Sequence, residues 1–314
     1  MKVPGKAQTL LSQISDVLDL LDRKMPPGIG TGSGSAMSEA LPSLLDTCER
    51  LVRAADAPPT LRLVQHFACT GGTIISRALA AMPNVQLLSE IDPLSTIMVN
   101  RAQPSFAPSD LIFAMRHAVR EVDEALLCDM FLASLEVLHA GLAARGQLLV
   151  LRDHTHSRYC TARDPASRPG LSEIVAPRFH VLPVVTIRHP LDSFLSLIKN
   201  GWHRHLPVAT LDGYAQRYAM FLDETDGQPR FRYEDFTEEP AHFLSELCSA
   251  LGLDFSPDAI ALIPAITLSG DSGRRANRIG RRARREIPAW VAEDMARSEA
   301  YRQLCDRMGY DPTD

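Results

Sequence analysis

Apolar runs that end in polar or glycine-containing turns recur along the chain after residue 60. The first run, Leu61 to Phe67, breaks at Gly71 and Gly72 and restarts as an amphipathic helical pattern. A β-branched run from His180 to Arg188 is typical of a strand that is buried on both faces. Further strands are predicted near residues 85–88, 147–152 and 229–233. Strands that alternate with helices predict an α/β domain with three layers and a central parallel sheet.

Residues 1–58 have a different pattern. A Gly/Ser/Pro linker from Pro26 to Ser35 separates two predicted helices, the second of which runs from about Ser38 to Ala55. We therefore predict a helical extension over residues 1–58 and a main domain over residues 59–314. The extension is expected to pack on the main domain; a homodimer contact and support for a large ligand are the alternatives. The first helix presents one apolar stripe of Leu10, Leu11, Ile14, Val17, Leu18 and Leu21.

The turn after the first predicted strand has the composition of an anion site. It reads Cys69-Thr70-Gly71-Gly72-Thr73-Ile74. Glycines allow positive φ and close approach of a ligand, and the free N–H groups at a helix start attract anions. The sequence Gly-Lys-[Ser/Thr], with which ATP- and GTP-binding loops hold phosphates and Mg²⁺, is missing from this turn. The turn therefore predicts a P-loop-like domain that binds a phosphate ester without a metal.

A second anion site is predicted after the run that ends at Arg188. In open parallel sheets ligands bind beyond the carboxyl ends of the strands, where Arg188 stands. Pro190 marks the start of the next helix. Ser196 would lie about two turns into that helix. Arg188 and Ser196 can share an anion only if the chain folds back over the helix face.

Together these two segments resemble the nucleotide sites of the sulfotransferases, which use 3′-phosphoadenosine 5′-phosphosulfate. In that family a Gly-rich loop holds the 5′-phosphosulfate, and an Arg with a Ser eight residues later, the spacing of Arg188 and Ser196, holds the 3′-phosphate. The segment Phe231 to Phe236, which contains Tyr233, is similar to the family's Tyr-Glu-Asp segment and precedes an amphipathic helix over Pro240 to Leu251. A late basic loop over the 3′-phosphate is matched by Ser272-Gly273-Arg274-Arg275.

The resemblance implies a sulfotransferase catalytic domain over residues 59–314. Such an enzyme transfers the sulfuryl group of 3′-phosphoadenosine 5′-phosphosulfate to a hydroxyl and leaves 3′,5′-ADP, with no metal. A small-molecule or glycan acceptor is expected, and its identity stays open because sugars, lipid-linked sugars, phenols and peptide tyrosines all present hydroxyls. Two alternatives stay open. One is a P-loop kinase, which the missing Gly-Lys-[Ser/Thr] disfavours, and the other is a catalytically weak nucleotide-binding module.

The resemblance also implies a catalytic base. The segment Pro83 to Glu90 is similar, without a gap from the loop, to the tyrosylprotein sulfotransferases. Glu90 then falls where that family carries the carboxylate that deprotonates the acceptor hydroxyl. His154 is a candidate second base or partner of the acceptor hydroxyl, and a His that only caps a neighbouring carbonyl is the alternative.

One position departs from the family pattern. Most sulfotransferases carry Lys or Arg just before the Ser/Thr-Gly of the loop, where this chain has Cys69. That cation stabilises charge on the leaving phosphate, and a neutral thiol does not. Arg152, at the end of a predicted strand, is the expected substitute, followed by Arg274 or Arg275. Cys69 itself is interpreted as a small half-buried residue rather than a nucleophile.

Two histidine pairs have a spacing that could ligate zinc from an extended segment. They are His154 with His156 and His203 with His205. Neither pair has companion cysteines or a His-Glu-x-x-His helix, so the sequence predicts no metal site.

Composition bears on the binding partners and the cellular location of the protein. A net charge of −5 with 45% hydrophobic and 23% charged residues gives no indication of nucleic acid or membrane binding. The absence of an apolar run long enough for a membrane span, and six scattered cysteines, predict a cytoplasmic protein without a membrane span. Seven arginines among the twelve residues 274–285 are interpreted as a cationic lid over the nucleotide. RNA binding is disfavoured because no aromatic residue for base stacking occurs between Arg274 and Trp290.

Overall fold

A computed structural model describes residues 57–97, 99, 106–205, 208–269, 279–281 and 283–313. The two predicted N-terminal helices lie outside the described residues, and so do Gly273, Arg274 and Arg275. The expectations for these parts of the chain stay predictions.

Five strands form one sheet in the order β2-β3-β1-β4-β5, and all neighbouring strands are parallel. The predicted α/β class with a central parallel sheet is confirmed, and each strand covers one of the five predicted positions. The strands are β1 (Thr60–His66), β2 (Val85–Ile91), β3 (Leu148–Asp153), β4 (His180–Ile187) and β5 (Arg230–Arg232).

Helices cover both faces of the sheet. The α-helices within the described residues are α1 (Gly72–Ala80), α2 (Leu111–Arg116), α3 (Glu124–Ala143), α4 (His156–Tyr159), α5 (Leu171–Val175), α6 (Pro190–Lys199), α7 (Leu211–Glu224), α8 (Tyr233–Glu238), α9 (Pro240–Ala250), α10 (Ala289–Arg297) and α11 (Glu299–Met308). Short 3₁₀ helices occur at Pro165–Ser167, Trp202–His205 and Pro257–Ala265.

The apolar core lies on both sides of the sheet, because successive side chains of each strand point to opposite faces. Leu61 and Leu63 of β1 pack on one side of the sheet with apolar residues of α3 and α5. Val64 of β1 and Val150 of β3 pack on the other side with residues of α1 and α9. Side chains of a strand point to alternate faces, so a strand covered by helices on both sides needs a nearly continuous apolar run. This is why β1 reads as an apolar run in the sequence.

Helix α3 is long and apolar enough, by length and composition alone, to cross a membrane. One 18-residue window of it has a mean hydropathy of 1.6. Leu127, Leu132 and Leu135 of this helix are buried in the core beside β1 and β3, but only 17% of that window is buried in all. The sequence-based expectation of no membrane span therefore stays a prediction.

Parallel pairing brings the carboxyl ends of the strands to one edge of the sheet. Val64 of β1 lies opposite Arg152 of β3, and His66 lies opposite Thr186 of β4. The polar residues that end these strands are therefore neighbours, although they are far apart in sequence. The candidate site lies at this edge.

Candidate functional site

The turn between β1 and α1 is tightly constrained. Cys69 and Gly71 have φ angles of 64° and 92°. A Cβ atom added to Gly71 would lie 2.5 Å from Cε2 of Tyr233. Positive φ and close approach thus both require glycine at position 71. The hydroxyl of Thr70 donates to the carbonyl of Phe67 at 2.9 Å, which closes the turn.

The second glycine makes room for a buried histidine. A Cβ on Gly72 would lie 2.5 Å from both Cγ and Nε2 of His66, whose side chain is 1% exposed. Burial, together with the nearby Arg152, holds the pKa of His66 well below its usual value. The ring is therefore neutral, and its Nε2 accepts a hydrogen bond from Nη2 of Arg152 at 2.9 Å. Gly72 and His66 thus help to position Arg152.

Arg152 connects this histidine to the predicted base. Its Nη2 lies 2.6 Å from Oε1 of Glu90, and its Nη1 donates to Oγ of Ser89 at 3.0 Å. Burial raises the pKa of the Glu90 carboxyl, and the positive charge of Arg152 opposes part of that rise. Glu90 has a φ of 61° and lies where the β2–β3 pairing shifts its register between Leu88 and Ile91. The irregularity aims this one side chain away from the regular strand direction.

Two histidines lie on the other side of the Glu90 carboxylate. Nε2 of His154 is 3.6 Å from Oε2 of Glu90, and Nδ1 of His156 is 4.0 Å from the same oxygen. Burial lowers the pKa of His154 and brings that of His156 to about 3, so both rings are neutral near neutral pH. The structure thus brings the three predicted catalytic residues, Glu90, Arg152 and His154, into one cluster. Their roles stay predictions.

The predicted second anion site is also assembled. Nη1 of Arg188 donates to Oγ of Ser196 at 3.3 Å and to the carbonyl of Cys69 at 3.4 Å. The guanidinium also lies 4.8 Å from the ring centroid of Tyr233. The chain therefore does fold back over α6, and a single arginine joins the Gly-rich turn, the helix and the Tyr-Glu-Asp segment.

The Arg-rich segment reaches the same place. Nη1 of Arg285 donates to Oγ of Ser196 at 2.7 Å, and Nε of Arg284 donates to Oδ1 of Asp192 at 2.8 Å. The sequence indicated a basic lid but did not single out these two arginines. It also gave no role to His66, although a polar residue at the end of a buried strand was the signal that could have found it.

A cleft of ≈ 690 Å³ joins these groups, a size that suits a small-molecule site. Glu90, Arg152 and Arg188 all line it. Other residues in the wall include the acidic Asp192 and Glu234 and also His66, Cys69, Gly71, Gly72, Thr73, Ile74, Arg77, His156, Ser196, Lys199, Trp202, Tyr233, Arg281, Arg284 and Arg285. Arginine side chains therefore dominate its charged surface, as binding of an anion requires.

Comparison with known proteins identifies this architecture. A sulfotransferase domain from the curacin biosynthetic pathway is 17% identical, with a TM-score of 0.51 over 81% of this chain and 98% of that domain. The chain has the sulfotransferase fold. The sulfotransferase domain of the Synechococcus PCC 7002 olefin synthase is 16% identical, with a TM-score of 0.47 over 82% of this chain and 97% of that domain. Mouse sulfotransferase SULT7A1, in complex with PAP, is 12% identical, with a TM-score of 0.39 over 79% of this chain and 88% of the mouse chain. No family model matches this chain, and no curated protein matches it by sequence.

Proposed function

We propose that this protein transfers a sulfuryl group from 3′-phosphoadenosine 5′-phosphosulfate to a hydroxyl of an acceptor. One observation carries the proposal: the two predicted anion-binding segments and one half-buried carboxylate line the same cleft. The first anion site is the Gly-rich turn at the start of α1, and the second is Arg188 with Ser196 and Arg285. The similarity of this fold to a sulfotransferase domain from the curacin biosynthetic pathway supports this interpretation of the cleft.

The cleft residues fit a nucleotide that carries phosphate groups at the 3′ and 5′ positions of its ribose. At the Gly-rich turn, Gly71 and Gly72 bear no side chain, and no side chain caps the start of α1, although the N–H of Ile74 donates to the carbonyl of Gly71 at 3.1 Å. The guanidiniums of Arg188 and Arg285 supply a second set of donors at Ser196. When bound, 3′-phosphoadenosine 5′-phosphosulfate supplies an activated sulfuryl group on a phosphate leaving group.

The proposed roles follow from the contacts of each side chain. Glu90 accepts the proton of the acceptor hydroxyl, because its carboxylate lines the cleft and its raised pKa makes it a stronger base than an exposed glutamate. Arg152 holds that carboxylate in place and brings positive charge to the cleft. The loop N–H groups and Arg188, which reaches the carbonyl of Cys69, stabilise the charge that develops on the leaving side.

The nucleotide assignment is tested by thermal shift with 3′,5′-ADP, 5′-AMP and ATP with Mg²⁺. We expect 3′,5′-ADP to stabilise the protein more than 5′-AMP, and we expect Arg188→Ala to remove the difference. A charge-assisted contact to phosphate contributes about 1.5–3 kcal/mol, which is roughly tenfold or more in affinity. Arg178→Ala is the matched control, since Arg178 is exposed and pairs only with the surface residue Glu136 among the described contacts.

Three results would redirect the proposal. Equal shifts with 3′,5′-ADP and 5′-AMP would refute the 3′-phosphate assignment. A larger shift with ATP and Mg²⁺ would favour a kinase. Nucleotide binding without transfer of labelled sulfate to any fraction of a cell extract would indicate a catalytically weak nucleotide-binding module. The same transfer assay tests the acceptor class, a small-molecule or glycan hydroxyl, which stays a prediction together with the cytoplasmic location.

A further inference from the structure

Three side chains beside the cleft have the donor atoms of a metal site. Oε2 of Glu90 comes from β2, Nε2 of His154 follows β3, and Nδ1 of His156 begins α4. These atoms all lie within 4.8 Å of one another. The sequence does not indicate that Glu90 meets these histidines, because a long stretch of chain separates it from them. His203 does not belong to any such group among the described residues.

The spacing of the three atoms suits a transition-metal ion. Zinc binds histidine nitrogen and carboxylate oxygen at about 2.0–2.2 Å, so two ligands of a tetrahedral ion lie about 3.3–3.6 Å apart. The measured separations from Oε2 of Glu90 are 3.6 Å to His154 and 4.0 Å to His156. A small inward movement of the two imidazole rings would complete the site.

A second observation points to a ligand at this place. Oε2 of Glu90 is buried and has no hydrogen-bond partner, whereas Oε1 of the same carboxylate is held by Arg152. An unpaired buried carboxylate oxygen is costly, and a cation between it and the two rings would satisfy it. A carboxylate ligand whose second oxygen accepts a hydrogen bond is the usual arrangement around bound metals.

We propose that Glu90, His154 and His156 form a binding site for a divalent transition-metal ion of the zinc class. Two imidazoles and one carboxylate favour Zn²⁺ or Co²⁺ over Mg²⁺, which prefers oxygen ligands alone. Glu90 and His156 also line the cleft, so the ion would be reached from there. A consequence that rests on the proposed function is that the ion engages the carboxylate of the base, so that zinc inhibits sulfuryl transfer reversibly.

Metal binding is measured directly on the untagged full chain after treatment with a chelator and desalting. Isothermal titration with ZnCl₂ should give one tight site per chain, and MgCl₂ should give none. CoCl₂ should produce the visible absorption of a four- or five-coordinate ion with nitrogen ligands. None of these measurements requires enzyme activity, so their failure and the failure of the proposed function are separable.

Variants assign the site to its residues. Removal of a metal ligand should cost at least as much as loss of an outer-shell partner, so Glu90→Gln and His154→Gln should weaken zinc binding by about 100-fold or more. His203→Ala is the matched control and should bind zinc as the wild type does, because His203 lies outside the cluster. Unchanged zinc affinity in both Glu90→Gln and His154→Gln would overturn the proposal, as would loss of tight binding in His203→Ala.

A third measurement does not depend on the folding of any variant. Diethyl pyrocarbonate modifies accessible histidines of the wild-type chain, and mass spectrometry locates each modification. Zn²⁺ should protect His154 and leave His242 unprotected, since His242 is exposed and pairs only with Glu246 among the described contacts. Modification of His154 to the same measurable extent with and without zinc would refute the site.

Discussion

Gly72 offers a sharp test of how the Gly-rich turn supports the cluster around Glu90. Its φ is not positive, so Gly72→Ala changes one contact and not the backbone conformation. The added methyl group would meet Cγ and Nε2 of His66 at 2.5 Å. His66 is buried and holds Arg152, so the ring has little room to move and any movement disturbs the arginine.

The expected magnitude follows from this overlap. Carbon contacts are favourable at about 3.5–4.0 Å, so the ring or the turn must move by roughly 1 Å. Overpacking of this kind costs about 1–3 kcal/mol. For a domain of this size each kcal/mol lowers the melting temperature by about 2–4 °C, which gives a decrease of about 2–12 °C.

Thermal melting of Gly72→Ala measures this decrease, and Gly141→Ala is the control. Gly141 is also a helical glycine, but the nearest atom to its added Cβ is the flexible Nη1 of Arg145 at 3.4 Å. We expect Gly141→Ala to melt at or above the wild-type temperature, because alanine is favoured over glycine in a helix by up to about 1 kcal/mol.

A double-mutant cycle identifies the partner in the clash. If His66 is the obstacle, then Gly72→Ala should have almost no further cost in a His66→Ala background. An equal decrease in melting temperature in both backgrounds, or a wild-type melting temperature for Gly72→Ala alone, would refute the reasoning.

The remaining predictions concern the chemistry. Glu90→Gln should lower turnover by about 10² to 10⁴ and leave the thermal shift with 3′,5′-ADP unchanged; near-normal turnover would move the base role to His154. Activity should fall as pH decreases through the raised pKa of Glu90, because the base must be ionised. Arg152→Gln removes the charge that lowers this pKa, so the acid limb of kcat/KM should move to higher pH, and an unmoved limb would contradict the pairing. Cys69→Ser should be nearly silent at saturating substrates; a large loss of turnover with donor binding intact would require a thiol mechanism.

The sequence was sufficient for the positions of the strands and for two of the segments that line the cleft. Buried parallel strands leave a strong apolar pattern, and the polar residues that end them, such as Arg152 and Arg188, are visible by contrast. The α/β class followed from these patterns and the sulfotransferase-like fold from the resemblance of the motifs to that family; both are confirmed by the structure and the comparison.

The contacts between the strand ends could not be predicted from the sequence in the same way. His66 meets Arg152 because β3 lies beside β1, and nothing in the local pattern of either strand indicates that order. The approach of Glu90 to two histidines depends further on the irregular pairing of β2 with β3. Arg285 joins Ser196 across 89 residues of chain, a contact that only the folded structure can show.

The backbone at Glu90 carries a cost that its neighbours do not share. A residue with a side chain at a φ of 61° stores about 1–3 kcal/mol of strain, which glycine would release. Glycine would also delete the carboxylate that Arg152 and the two histidines surround. The backbone preference and the ion pair therefore make opposite demands on this position. Loss of the partner of a buried arginine costs about 3–5 kcal/mol, which exceeds the strain that glycine would release, so the contact with Arg152 keeps glutamate at an unfavourable φ.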